Sequence, residues 1–384
     1  MKNSSKKPVI AVFVAHYPPM GGGVARLAST TFYGMKEYGC QLIFVTAKYG
    51  DEKEFEILSE DVSIFRLPVY KVYGYKRYPI IKKNNAYKKI INQLKNSEID
   101  KIIVLTRFYL TSHVGADFGR ANNIPVYLLE CSGAPLTLKN KILDIPLRFI
   151  EIVLSKIIIN KVNYFFAMSQ AARKFLLEHY GIQTKNSLWS CSINVDRELV
   201  KHTDISKIVI TYSGRIENLK GEEQLAKAFI ELVKKYENLY LNFVGTGSYL
   251  NILKKTFVHK NITYWGHQNI DIINKINNMS DISVCATTFP DGAVPNSLLE
   301  AGAQKCAIVC SPNGGFLEII KNEINGILTD EAVSVASMLQ TLERLIVDKA
   351  LRVKLADNIF TDIEKQYNVN VVSARIIKDL EIII

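Results

Sequence analysis

The chain has 384 residues, 48% hydrophobic and 22% charged, with 21 glycines, 11 prolines and a formal net charge of +11. That length suits two domains rather than one simple core, and that composition excludes a disordered chain, a fibre and a collagen-like repeat. The charge is one-sided: residues 1–200 carry 28 Lys+Arg against 16 Asp+Glu, whereas residues 201–384 carry 20 against 21.

Val9 to Ala15 imitates the apolar stretch of a signal peptide but runs into His16-Tyr17-Pro18-Pro19 without a small-residue cleavage site. It therefore reads as a buried first strand of a soluble chain. Further strands are predicted at 41–47, 101–106, 125–130 and 163–168, with helices at about 24–38, 85–96, 111–122 and 142–160 between them. Strands then follow at 207–213, 239–244, 262–265, 282–286 and 307–310. Their helices lie near 221–236, 248–257, 270–278, 296–304 and 333–345. Alternating strands and helices are the signature of βαβ units, so the fold class is α/β with two doubly wound domains. The predicted division is 1–200, 201–365 and a last amphipathic helix at 366–384, with Arg197–Lys207 as the linker.

No uncharged apolar run reaches the roughly 18 residues a membrane span needs. The nearest, Ile145 to Met168, is interrupted by Arg148, Glu151, Lys156 and Lys161. The six cysteines (40, 131, 191, 285, 306 and 310) form no Cys-x-x-Cys pair. They suggest neither disulfides nor zinc, and a reducing cytoplasm fits them. Between Arg66 and Lys95 nine basic residues meet no acidic one, with Tyr70, Tyr73, Tyr75, Tyr78 and Tyr87 interleaved. Such a stretch suits an anionic partner such as a phospholipid surface, and a solvated basic face is the alternative. No nucleic-acid-binding motif accompanies the charge.

In sheets of this kind ligands bind at the carboxyl ends of the strands. Pro18-Pro19-Met20-Gly21-Gly22-Gly23-Val24-Ala25-Arg26 follows the first strand and opens a helix. Its glycines let backbone approach a ligand, but Arg26 stands where a dinucleotide fingerprint needs its last glycine, and there is no Gly-Lys-Ser/Thr. After the first strand of the second half comes Ser213-Gly214-Arg215-Ile216-Glu217-Asn218-Leu219-Lys220-Gly221. The guanidinium of Arg215 and the ammonium of Lys220 make a pair suited to a diphosphate. A third loop, Thr288 to Pro295 with Asp291 in it, enters a helix that Asn296 can cap and that carries Glu300. Val244-Gly245-Thr246-Gly247-Ser248 and Ser311-Pro312-Asn313-Gly314-Gly315 complete the set.

Together and in this order, these residues resemble the retaining GT-B glycosyltransferases, specifically family 4 of the sequence classification, over nearly the whole chain. The resemblance implies two Rossmann-like domains facing across a nucleotide-sugar cleft, with the last helix returning to the first domain. It places Gly22 and Gly23 near donor phosphate and acceptor, and Gly214 and Gly245 in the donor loops. Arg215 and Lys220 match the pair that holds the donor diphosphate, Ser297 and Leu298 the helix start that binds phosphate through backbone. Glu300 matches the family's second glutamate, on the nucleotide ribose. Ile193-Asn194-Val195-Asp196 looks like the family's Asn-Gly-Val-Asp segment. Two departures stand out: Gly292 occupies the first-glutamate position, leaving Asp291 one residue earlier as the substitute, and Leu129-Glu130-Cys131-Ser132-Gly133 lacks the family's histidine.

The expected activity is retaining transfer of a sugar from a nucleoside-diphosphate sugar to a glycan or lipid-linked acceptor of cell-envelope or surface polysaccharide, at the inner face of the cell membrane. Arg215, Lys220 and Asp291 are the expected catalytic residues. No metal or other cofactor is expected, because the chain has no Asp-x-Asp and the two cations can do a divalent ion's work. A non-catalytic glycan- or nucleotide-binding partner and an NAD-dependent oxidoreductase are the alternatives. His16 and His113 read as structural histidines.

Overall fold

The computed structural model describes residues 7–72, 76–137, 141–202, 204–218, 220–288 and 292–382. Asp291 therefore lies outside the described residues, as do Tyr73, Tyr75 and Leu219. The chain forms two compact units: Met1–Ser192 with Val369–Ile384, and Ile193–Asn368.

The first unit holds strands β1 (Val9–Phe13), β2 (Gln41–Ala47), β3 (Phe55–Ser59), β4 (Val62–Leu67), β5 (Lys101–Leu105), β6 (Val126–Glu130) and β7 (Tyr164–Ala167). They form one sheet in the order β3-β4-β2-β1-β5-β6-β7. Every neighbouring pair is parallel except β3 with β4. The central strands read as continuous apolar runs because both faces are covered, and β1 is buried along its whole length. Helix α1 (Gly23–Arg26) runs on through a π-helical stretch, Leu27–Phe32, and a 3-10 stretch, Tyr33–Tyr38. It is followed by α2 (Asn85–Lys95), α3 (Leu110–Ala121), α4 (Lys141–Ile159) and α5 (Gln170–Tyr180). Asn84 and Ser169 cap α2 and α5, accepting from the amides of Tyr87 and Ala172 at 3.1 and 3.0 Å.

The second unit holds β8 (Ile208–Ser213), β9 (Leu239–Val244), β10 (Ile262–Gly266), β11 (Ile282–Cys285), β12 (Ala307–Cys310) and β13 (Ile327–Leu328). All are parallel, in the order β10-β9-β8-β11-β12-β13. Its helices are α6 (Glu222–Val233), α7 (Leu250–Thr256), α8 (Ile270–Asn278), α9 (Asn296–Gly302), α10 (Val335–Val347) and α11 (Lys349–Tyr367). The segment read as a linker is pinned to this unit. Lys201 Nζ donates to the carbonyls of Asn277 and Gln304 at 3.0 and 2.7 Å, and the His202 amide donates to Asn278. The units accordingly part at Ser192/Ile193 and not after Val200.

The last helix, α12 (Val369–Asp379), belongs to the first unit. Ser373 donates to the Thr31 carbonyl at 2.8 Å, Tyr38 donates to the Asn370 carbonyl at 2.7 Å, and the Trp189 indole donates to Asp379 at 2.8 Å. The Thr31 carbonyl that Ser373 uses sits in the stretch where the first helix leaves α geometry.

In both sheets the strand order reverses beside the first strand of the unit. The reversal lies between β1 and β5 in the first and between β8 and β11 in the second. That reversal opens a crevice at the carboxyl ends of the strands, where ligands bind in open α/β sheets.

Candidate active site

In the second unit the loop after β8 flanks that reversal and carries Gly214, Arg215 and Lys220. Its shape is set by a residue that the sequence did not single out. Glu222, in the first turn of α6, is fully buried, and its carboxylate accepts from the backbone amides of Glu217 at 2.7 Å and Lys220 at 3.0 Å. Tyr212, at the end of β8, donates its hydroxyl to the Arg215 carbonyl at 2.8 Å. Burial, with the Glu222 charge next to it, holds the Tyr212 phenol well above its ordinary pKa, so it remains a donor. Tyr212 and Glu222 thus fix the backbone on both sides of Asn218, a residue at φ 58°. The side chain of Arg215 is 73% exposed, with Glu217 3.4 Å away as an ion-pair partner.

The neighbouring strand-end loops close on this one in sequence. The Gly214 amide donates to Val244 and the Ile216 amide to Thr246, at 2.9 and 3.1 Å. A Cβ on Gly245 would sit 1.8 Å from the Gly214 carbonyl oxygen, so the close approach of the two loops requires glycine there. On the other side, a Cβ on Gly221 would come within 3.0 Å of Ala286 in the loop after β11. That loop is tied to the one after β12: Ser311 and Asn313 both donate to the Thr287 carbonyl at 2.7 Å. Gly315 packs backbone to backbone on Ala293, 2.0 Å from where its Cβ would be. The loops after β8, β9, β11 and β12 thus form one continuous rim.

Helix α9 rises from this rim. Asn296 is its first residue and not its cap. Pro295 occupies the cap position with no side-chain hydrogen bond, because proline has no side-chain acceptor. The Leu298 amide donates to the Pro295 carbonyl at 3.1 Å, so of the two expected phosphate-binding amides that of Leu298 is engaged within the turn. The Ser297 hydroxyl hydrogen-bonds the Cys285 thiol, which burial pushes up to about 11. Glu300 is no surface acid: it keeps 7% of its surface. The described cysteines are unpaired, five of them buried.

In the first unit, Gly22 and Gly23 stand where the loop after β1 turns into α1. Gly22 has φ 122°, and a Cβ on Gly21, Gly22 or Gly23 would meet nothing within 4 Å. His16 stacks on Tyr49 with ring centroids 5.5 Å apart, and its Nε2 lies 2.9 Å from the Lys76 carbonyl. His113 Nε2 lies 3.2 Å from the Arg107 carbonyl. Burial lowers the pKa of both. Glu130, in the stretch without histidine, is a buried partner of Arg107 at 2.9 Å and accepts from the Ser132 amide at 2.8 Å.

Residues 197–361 match the family of glycosyl transferases group 1. An uncharacterized glycosyltransferase of Methanocaldococcus jannaschii is 25% identical over 381 residues, covering 94% of this chain and 95% of its own. Residues 197–361 thus resemble a group 1 glycosyltransferase domain, and the chain is a glycosyltransferase. A glycosyltransferase from Rickettsia africae superposes with a TM-score of 0.73 at 18% identity, over 98% of each chain. The Anabaena protein HepE, solved with UDP and glucose, gives 0.72 at 15% identity over 98% of this chain and 100% of its own. These likenesses establish the fold as GT-B. The rim just described lies within the family-matched residues of this glycosyltransferase.

Proposed function

We propose that this glycosyltransferase moves a sugar from a nucleoside-diphosphate sugar to a glycan or lipid-linked acceptor of the cell envelope, with retention of configuration, as a family 4 enzyme. The observation that carries the proposal is the loop after β8. An exposed guanidinium and an ammonium sit on a backbone held by a buried carboxylate, at the strand-order reversal of a parallel sheet. That is a pre-organised place for a diphosphate, whose charge grows as the sugar leaves. The Anabaena protein of the same fold binds UDP and glucose.

In this reading Arg215 and Lys220 clamp the diphosphate, and the Ser297 amide at the start of α9 adds a donor. Glu300 accepts from the ribose hydroxyls, and Asp291 takes the part of the family's first glutamate. Gly22 and Gly23 let backbone approach the donor phosphate and acceptor. The clamp supplies the positive charge that a metal would otherwise bring, so transfer is expected to persist in chelator. Of the basic run from Arg66 to Lys95, Arg66 is buried against Glu56, and the exposed residues from Lys71 to Lys95 draw the first unit toward anionic lipid at the inner face of the membrane. The test is turnover of a panel of nucleotide sugars, with the product's anomeric configuration read by NMR. Retention supports the reading; an inverted product, or transfer that chelator abolishes, overturns the corresponding part.

A further inference from the structure

Helix α4 (Lys141–Ile159) is apolar on its outer side. Its inner face sets Ile158 in the core and is otherwise held by polar groups. Glu151 is buried against Arg107, the same guanidinium that meets Glu130, and its second oxygen accepts from the Leu136 amide at 2.8 Å. Ser155, also buried, donates to the Glu151 carbonyl at 2.6 Å and receives the Tyr180 hydroxyl at 3.2 Å. Arg107 itself lies 4.4 Å from the centroid of the Phe175 ring. These contacts fix which way the helix faces.

The opposite face is apolar and uncovered. Ile142, Ile145 and Phe149 are 79%, 72% and 70% exposed, and Ile152, Val153 and Ile157 are exposed too. At 100° per residue these positions fall in one arc, opposite Glu151 and Ser155. Among the described side chains of the helix the exposed charges are Arg148 and Lys156, both basic, while the two acids are engaged: Glu151 with Arg107, and Asp144 with the Thr137 hydroxyl at 2.8 Å. A helix apolar on its outer side has a partner other than water. Among the described residues no helix is long and apolar enough to cross a membrane, so the arrangement suits a helix that lies on one.

We propose that the outer face of α4 is a membrane-docking surface. Its aliphatic and Phe149 side chains enter the interfacial layer of an anionic bilayer, while Arg148 and Lys156 extend to the phosphates. Charge complementarity selects this occupant: the face presents basic groups and no free acid, and residues 1–200 carry 28 basic against 16 acidic residues. The inference shares the lipid surface of the proposed function but uses a different element from the 66–95 run. It adds a salt-resistant apolar component to a salt-sensitive attraction.

The test is co-sedimentation of the full chain with vesicles of phosphatidylcholine, with and without about a third phosphatidylglycerol. Wild type is expected to bind the anionic vesicles and to keep part of that binding in 1 M salt, where the Debye length is about 3 Å. The variant Ile145→Ser/Phe149→Ser/Ile152→Ser, altered only at exposed positions, is expected to bind roughly tenfold more weakly or less. It should lose the salt-resistant fraction and keep nucleoside-diphosphate binding. Tryptophan fluorescence of Phe149→Trp should shift to the blue on addition of anionic vesicles. Equal binding by wild type and triple variant, or no vesicle binding by wild type, overturns the inference. So does a dimer in light scattering that the triple variant converts to monomer, since the face is then a self-association surface. Donor turnover on a soluble acceptor is unaffected by any of these outcomes and tests the catalytic reading separately.

Discussion

Removing the Glu222 carboxylate should disable the loop after β8 without touching either cation. Glu222→Ala deletes two charge-assisted hydrogen bonds, to the amides of Glu217 at 2.7 Å and Lys220 at 3.0 Å. Hydrogen bonds to a charged group contribute about 1.5–3 kcal/mol each. The upper sum of about 6 kcal/mol is reduced because the buried carboxylate no longer has to be desolvated, and because both amides lie in half-buried residues that water can reach. A loss of about 2–4 kcal/mol is therefore expected in denaturant unfolding of the second unit. Glu222→Gln keeps one acceptor and turns an amide toward the other donor, so about half that loss is expected. The functional effect should be no larger than the stability effect. With the backbone of residues 217–220 released, Arg215 and Lys220 must be ordered when the ligand binds, which costs about 0.5–1.5 kcal/mol for each long side chain. Calorimetry with nucleoside diphosphates should show weaker binding in Glu222→Ala, with Glu222→Gln intermediate. Unchanged diphosphate affinity together with unchanged stability would refute the reasoning, since the carboxylate would then organise nothing.

Arg215→Ala and Lys220→Ala should each cost about 2–4 kcal/mol in kcat/KM and little stability, because partly exposed cations contribute little to folding; near-normal kinetics in both would remove the clamp. Glu300→Ala should weaken nucleoside-diphosphate binding by about 1.5–3 kcal/mol. Asp291→Ala should slow transfer and leave binding of the free diphosphate unchanged, and calorimetry separates the two. His16 and His113 have pKa values lowered from 6.5 by burial, so their unfolded forms take up protons first. Their contribution to stability is present above pH 6.5 and is lost as pH falls through the lower folded values; His113→Gln should flatten that slope, and an unchanged slope would contradict it. Gly23→Ala should hold or raise the melting temperature while weakening donor binding or transfer; full activity would detach Gly23 from the site.

The strands were legible where both faces of the sheet are covered: Leu42–Val45 and Ala307–Cys310 are continuous apolar runs, and the structure places β2 and β12 on them. The β3–β4 hairpin was not read. Glu54, Glu56, Glu60 and Asp61 break its pattern, and β3 is an antiparallel edge strand with exposed positions. Helices α5 and α11 were also missed, the latter because charges recur around most of its circumference. Glu222 could not be told from Glu223 in the sequence, since both are acids in a first helical turn. Only the fold turns one to the loop and the other outward, to Lys227 at 2.7 Å and Tyr249 at 2.6 Å. Arg107, Glu130 and Glu151 are far apart in sequence, so nothing local announced their meeting. The helix near 142–160 was expected, but its periodicity alone does not say which arc faces water.

The glycines of the strand-end loops separate into two kinds, and the difference bears on where a ligand comes close. Gly245 and Gly315 are consumed by the fold, since a Cβ at either would collide with backbone of the next loop. Loop packing by itself accounts for glycine at both positions. Gly23 is different. It opens a helix, has no left-handed φ, and a Cβ there would meet nothing within 4 Å. Alanine would be better there by up to about 1 kcal/mol on helix propensity. A position that gives up local stability with no steric demand from the chain itself is one where something outside the chain sets the demand. In the proposed reading a phosphate or acceptor hydroxyl would lie against the Gly23 backbone, at the start of a helix and beside the strand-order reversal, and Gly23→Ala tests that placement.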